Sequence, residues 1–299
     1  MPLARMHADE IDTDVSLVRR LVAGQFPAWS ALSVAPVPSA GTDNALYRLG
    51  RDMVVRLPRI HWAVDAVARE QRWLPRLAPH LPVAIPAPLG LGWPAAGYPY
   101  PWSVYRWIQG VNPVVGRLQD PLTLGWEVAA FIAAMRRIDR AGAPPAGRCE
   151  SLRARDDEVR RAMAALDGLI DASTVAAAWE TALAAPAWAG EPVWIHGDLA
   201  PGNLLCRGGR LAAVIDFGGI GLGDPAADLP VGWNLLPATA RDAFRALVGI
   251  DDATWERGRG WALSIALIQL PYYRRTNPTL AASARRVISE VLLEHTSRT

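Results

Sequence analysis

His196-Gly197-Asp198-Leu199-Ala200-Pro201-Gly202-Asn203 follows directly on the apolar run Pro192-Val193-Trp194-Ile195. A run of that kind reads as a short buried strand, so the chain sets a histidine, an aspartate and an asparagine in one loop at a strand end. Eighteen residues past Asp198, the apolar run Leu211 to Val214 delivers Ile215-Asp216-Phe217-Gly218. The strand Asn203 to Cys206, a turn at Gly208-Gly209 and the strand Leu211 to Ile215 form a hairpin that can hold Asp198, Asn203 and Asp216 around one point. Singly, Asp198 and Asp216 read as turn residues and His196 as a hydrogen-bonded core histidine. Their joint spacing is what sets them apart.

That arrangement is the one phosphoryl transfer needs. A carboxylate orients an attacking hydroxyl and accepts its proton, while asparagine and aspartate oxygens suit Mg²⁺ bridging nucleotide phosphates. Composition narrows the field further. The 299 residues are about half hydrophobic, enough for a sizeable core split between two lobes. A formal net charge of +2 is too small to imply nucleic acid or an anionic membrane as partner. No lysine occurs anywhere, which excludes a Walker A motif and a Schiff-base lysine; a phosphate held by a permanently charged side chain must be held by arginine. Cys149 and Cys206 show no metal-ligand spacing and suit a reducing compartment. The opening MPLARMHADEIDTD carries acids and no long apolar stretch, so the expectation is a cytoplasmic protein, monomeric or weakly dimeric.

Outward from the loop, the spacing predicts helices over Val15 to Phe26 and over Trp62 to Leu74, the latter stopped by Pro75. Between them, Ala45 to Leu49 and Met53 to Leu57 read as strands joined by Gly50-Arg51-Asp52. Residues 79–101, rich in proline and glycine, read as loops without long regular elements. They flow into a strand-like run, Ser103 to Ile108, stopped by Gln109-Gly110, where the boundary between lobes falls. Beyond it, helices are expected over about 121–140, 152–169, 173–185, 225–236, 238–248, 252–269 and 278–296, with no internal repeat.

The pattern H-G-D-x-x-x-x-N followed by I-D-F-G resembles the antibiotic-kinase family, the aminoglycoside and macrolide phosphotransferases, over almost the whole chain from about residue 34. The resemblance implies an α+β, bilobal, protein-kinase-like fold. A small β-rich N-terminal lobe would occupy 1–103, a hinge 104–110, and a larger, mainly helical lobe 111–299. It implies Asp198 as catalytic base, Asn203 and Asp216 as magnesium ligands, and His196 as a structural anchor of the loop. Asp224 would cap a helix and Asp228 brace the catalytic loop. Arg56, in Val54-Val55-Arg56, stands where the family has a phosphate-holding lysine, and Glu70 on the next helix would position it. The hairpin tip around Ser39 and Thr42 offers hydroxyls and backbone N–H groups to phosphate. The Arg106 carbonyl and Ile108 N–H would meet the purine of ATP or GTP.

The acceptor site should lie after Asp228. Leu229 to Ile250 contains one acid, Asp242, while Trp233, Trp261, Tyr272 and Tyr273 supply aromatic surface. That balance favours a neutral or weakly cationic small-molecule hydroxyl, on a macrolide or a nucleoside antibiotic of the capuramycin type, over a polycationic aminoglycoside. A metabolite kinase of the homoserine or choline type shares every catalytic residue. A two-metal phosphoesterase needs more histidines, and a nucleotide-binding pseudokinase is opposed by Asp198, Asn203 and Asp216 occurring together.

Overall fold

Alternating apolar and polar residues over 44–58 fold as a hairpin. In the computed structural model, which describes residues 10–38 and 43–298, Val34–Pro36 (β1), Asn44–Leu49 (β2) and Met53–Pro58 (β3) are followed by Pro88–Gly92 (β4) and Trp102–Arg106 (β5). They form one antiparallel five-stranded sheet in the order β1-β2-β3-β5-β4. One face buries Ala45, Tyr47, Leu49, Val55, Leu57 and Val104 against Leu17, Val18, Leu21 and Val22 of Val15–Gln25 (α1), whose first turn is capped by Asp14. Val64–Leu77 (α2) buries Val67, Trp73, Leu74 and Leu77.

Two expectations fail in this region. Pro75 does not stop α2, which runs on to Leu77. A proline in the last turn removes one backbone bond, and full burial of Leu77 offsets that loss. The segment 79–101 is not all loop, because 88–92 forms the edge strand β4. Proline is tolerated there as the first residue of an edge strand.

The chain divides into two compact units. One comprises the described residues through Val111 together with Ala212–Gly218; the other comprises Asn112–Leu211 and the described residues from Gly219. The return of 212–218 to the first unit is fastened by Ala84, whose N–H donates to the Ala212 carbonyl (3.2 Å) while its carbonyl accepts from the Val214 N–H (3.0 Å).

The second unit is mainly helical: Pro121–Arg137 (α3), Asp156–Ala165 (α4), Ala172–Ala184 (α5), Val231–Asn234 (α6), Ala238–Val248 (α7), Asp252–Tyr273 (α8) and Pro278–Arg298 (α9). Aspartates 120, 171 and 251 cap α3, α5 and α8. Val193–Ile195 (β6) pairs antiparallel with Gly221–Gly223 (β9), and Leu204–Arg207 (β7) leads through the turn Gly208-Gly209 into Arg210–Val214 (β8), the strand along which the chain passes from the second unit to the first. The expected helix 225–236 is instead a single turn, Pro225–Asp228, followed by the short α6. Pro230 interrupts it, and Pro237 disfavours helical geometry at Leu236. Likewise 152–169 opens with the tight turn Leu152–Arg155 before α4. Among the described residues no helix is long and apolar enough to cross a membrane.

Candidate active site

Strand alternation sets Arg56. Val55 and Leu57 point into the core, so Arg56 projects from the opposite face of β3. There its Nη1 donates to Glu70 Oε1 (2.6 Å) and its Nη2 to Asp216 Oδ1 (2.5 Å). With its oxygen turned toward the guanidinium, the Asn44 amide accepts from Nη2 at 2.9 Å. Glu70 is 1 % exposed, and its second oxygen accepts from the Tyr105 hydroxyl. Burial alone would push the Arg56 guanidinium down, but Asp216 and then Glu70 hold it well above its ordinary value. Burial, and then the Glu70 charge, pushes the Tyr105 phenol up. Asp216 itself has φ +65°, a left-handed backbone that aspartate adopts more readily than most residues. The structure therefore brings Arg56, Glu70 and Asp216 together inside one unit, although 160 residues separate Arg56 from Asp216.

The H-G-D loop belongs to the second unit. β6 ends at Ile195 and leads directly into His196, which is fully buried. The His196 N–H donates to Asp228 Oδ2 (2.9 Å) and the Gly197 N–H to Asp228 Oδ1 (2.7 Å). One buried carboxylate thus accepts both backbone donors at the head of the loop. Burial pushes the Asp228 carboxyl up, against the opposing pull of His196. Gly197 has φ +81°, the left-handed turn that aims the next residue outward. Asp198 donates its N–H to His196 Nδ1 (3.2 Å), and the Asn203 amide nitrogen donates to both the Asp198 carbonyl and Oδ2 (2.9 Å each). With its nitrogen so engaged, Asn203 directs its oxygen away from Asp198.

Three further side chains hold this loop, and none was legible in the sequence. The Asn112 amide donates to the carbonyls of Gly202 (2.9 Å) and Leu204 (2.8 Å), Asn234 donates to the Leu199 carbonyl (3.0 Å), and Arg148 pairs with Asp198 Oδ1 (3.0 Å). Each partner is remote in the chain and carries no motif of its own. Asp224 accepts from the Ala226 N–H (2.9 Å) as a cap, and also pairs with Arg257 (2.7 Å).

The remaining expected residues fall elsewhere. Ser39 and Thr42 lie outside the described residues. Arg106 ends β5, with its N–H donating to the Ala87 carbonyl (2.9 Å), and Ile108 lies half-buried past the strand. Trp233 and Trp261 are core residues, fully buried, so the expectation that they line an acceptor surface is corrected. The Trp233 indole N–H is bonded to Glu294 (2.8 Å). Tyr272 is exposed and packs edge-on against Tyr273 at 4.8 Å.

Among the described residues no cluster of three His, Cys, Asp or Glu side chains would hold a metal by protein ligands alone. Asp216 and Asn203 are hard oxygen donors of the kind that bind Mg²⁺ jointly with phosphates.

The model of the phosphotransferase enzyme family matches residues 34–261, so the chain belongs to that family. No curated protein sequence matches it. Among solved structures it resembles the GDP and kanamycin complex of APH(2")-IIia, with a TM-score of 0.72 and 21 % identity over 93 % of this chain and 98 % of that one. It also resembles the ADP-bound aminoglycoside phosphotransferase APH(2'')-Ib (TM-score 0.61, 15 % identity, 93 % and 98 % covered). A third likeness is the apoenzyme of macrolide 2'-phosphotransferase MphH from Brachybacterium faecium (0.59, 21 %, 93 % and 97 %). At these identities the likeness establishes the fold: an antiparallel sheet unit and a helical unit, as in antibiotic kinases.

Proposed function

We propose that this phosphotransferase moves the γ-phosphoryl group of ATP or GTP to a hydroxyl of a small antibiotic, with Asp198 as base. The observation carrying the proposal is Arg56. In a chain without lysine, one guanidinium bonds at once to the buried Glu70 and to Asp216 of the I-D-F-G segment. A charged two-pronged donor braced by a buried carboxylate is what a phosphate clamp requires. Asp198 takes the proton of the acceptor hydroxyl as that oxygen bonds to the γ-phosphorus. The bond to the β–γ bridging oxygen breaks, and the nucleoside diphosphate departs. Asn203 holds the Asp198 carboxylate by Oδ2, and Arg56 aligns phosphate oxygens. Asp216 and Asn203 would hold Mg²⁺, which neutralises charge on the phosphates when bound. The backbone of Arg106 and Ile108 would meet the purine edge.

The sparse acids of 229–250 support an acceptor that is neutral or weakly cationic, of macrolide or nucleoside type, with Tyr272 and Tyr273 as the aromatic surface. The test is a panel of antibiotics and amino alcohols with ATP and with GTP, scored for nucleoside diphosphate and for one added phosphoryl group by mass spectrometry. Phosphorylated antibiotic is the expected product, absent with Asp198→Ala. Transfer only to an amino alcohol would replace this reading with a metabolite kinase.

A further inference from the structure

Arg148 stands in Gly147-Arg148-Cys149, a stretch without a motif, yet it is mounted as firmly as any residue of the catalytic loop. Its segment runs beside β9. The Leu222 N–H donates to the Pro144 carbonyl (2.8 Å), the Ala146 N–H to the Leu222 carbonyl (3.0 Å), and the Gly147 N–H to the Gly219 carbonyl (2.8 Å). Gly221 permits this approach, since a Cβ there would lie 2.5 Å from the Ala146 nitrogen and 2.6 Å from the Pro144 oxygen. β9 pairs in turn with β6, which runs into the H-G-D loop. The mount therefore fixes the Arg148 backbone relative to Asp198 through main-chain bonds.

From there one guanidinium makes two contacts. Nη1 donates to the Gly197 carbonyl, and Nη2 pairs with Asp198 Oδ1 at 3.0 Å. Asn203 holds the other carboxylate oxygen. Both oxygens of Asp198 are thus engaged, one by a neutral amide and one by a full positive charge, while the carboxylate stays about half exposed. A lone carboxylate would attract an ammonium group brought up with the acceptor. A carboxylate paired at 3.0 Å with a guanidinium presents almost no net charge at that range.

We infer that Arg148 is a positioning residue that fixes the Asp198 carboxylate and cancels its charge, so that the site takes neutral or weakly cationic acceptors in preference to polycationic ones. The inference rests on the reading of Asp198 as base.

The test compares wild type, Arg148→Ala and Arg148→Lys on three acceptors of rising charge: capuramycin, erythromycin and kanamycin. Wild type should favour the uncharged acceptor. Arg148→Ala should lower kcat on it on the order of 10–100-fold with little change in KM, as a lost alignment does. Millimolar guanidinium chloride should restore part of that kcat, and Arg148→Lys should keep the selectivity better than the rate, because it returns the charge without the two-pronged donor. Kanamycin binding, followed by thermal shift and needing no turnover, should tighten about tenfold in Arg148→Ala. Unchanged kanamycin binding, or a wild type that prefers kanamycin, overturns the inference. Absence of transfer to every acceptor, with the binding change still present, would instead overturn the assignment of Asp198.

Discussion

Arg56→Ala tests the fold and the chemistry together. The substitution leaves Glu70, 1 % exposed, with the Tyr105 hydroxyl but without its cation. Stripping one partner from a buried ion pair costs about 3–5 kcal/mol. Arg56 keeps 14 % side-chain exposure, which places the loss near the lower end, about 3 kcal/mol. At roughly 2–4 °C per kcal/mol, the melting temperature should fall by about 6–12 °C. The loss should depend on pH. An orphaned buried carboxyl has a folded pKa raised above its unfolded value of about 4.3, so its penalty is absent below that value and grows as pH rises toward the folded pKa. The deficit of Arg56→Ala should therefore be smaller at pH 5 than at pH 8. Glu70→Gln added to Arg56→Ala should abolish that difference and recover part of the stability, giving a coupling of about 1–3 kcal/mol in the cycle. Urea unfolding at the two pH values measures this. In steady-state assays the same variant should raise the nucleotide KM and lower kcat together, with Arg56→Lys intermediate. A deficit under about 1 kcal/mol, equal at both pH values, would refute the reasoning.

Asp216→Ala should abolish the rise in melting temperature on adding nucleotide with Mg²⁺, and EDTA should abolish wild-type turnover, whereas Asn203→Ala should be impaired less. Glu294 accepts from the indoles of Trp233 and Trp255 and from Arg241, so Glu294→Ala should cost about 3–5 kcal/mol in urea unfolding. Asp171 is held at about 2, first by the Thr174 hydroxyl and then by Ser173. Its capping stability is present above the unfolded value of about 3.9 and is lost as pH falls through about 2. The gap in melting temperature between wild type and Asp171→Asn should accordingly narrow as the pH drops from about 5 to about 3.

By itself the sequence determined the elements whose signals are local. Periodicity gave α1 and α7 nearly to the residue, the alternation around Gly50 gave the hairpin that carries Arg56, and H-G-D-L-A-P-G-N with I-D-F-G gave the family. Even the Arg56–Glu70 pair was legible, through the family resemblance that set Arg56 in the place of a phosphate-holding lysine and Glu70 on the next helix. The rest depended on partners distant in the chain. β4 exists because β5 supplies its hydrogen bonds, which overrides a proline-rich and glycine-rich composition. The stretch 225–236 breaks up around Asp228, whose carboxylate accepts from backbone donors more than thirty residues earlier. Trp233 and Trp261 looked like surface for a ligand and are core, because α8 and α9 cover what a one-dimensional pattern leaves open. The side chains of Arg148 and Asn112 reach the H-G-D loop from 50 and 90 residues away in the chain. Spacing in sequence encodes which residues share a turn or a face, but only tertiary packing decides which charge comes to rest against which.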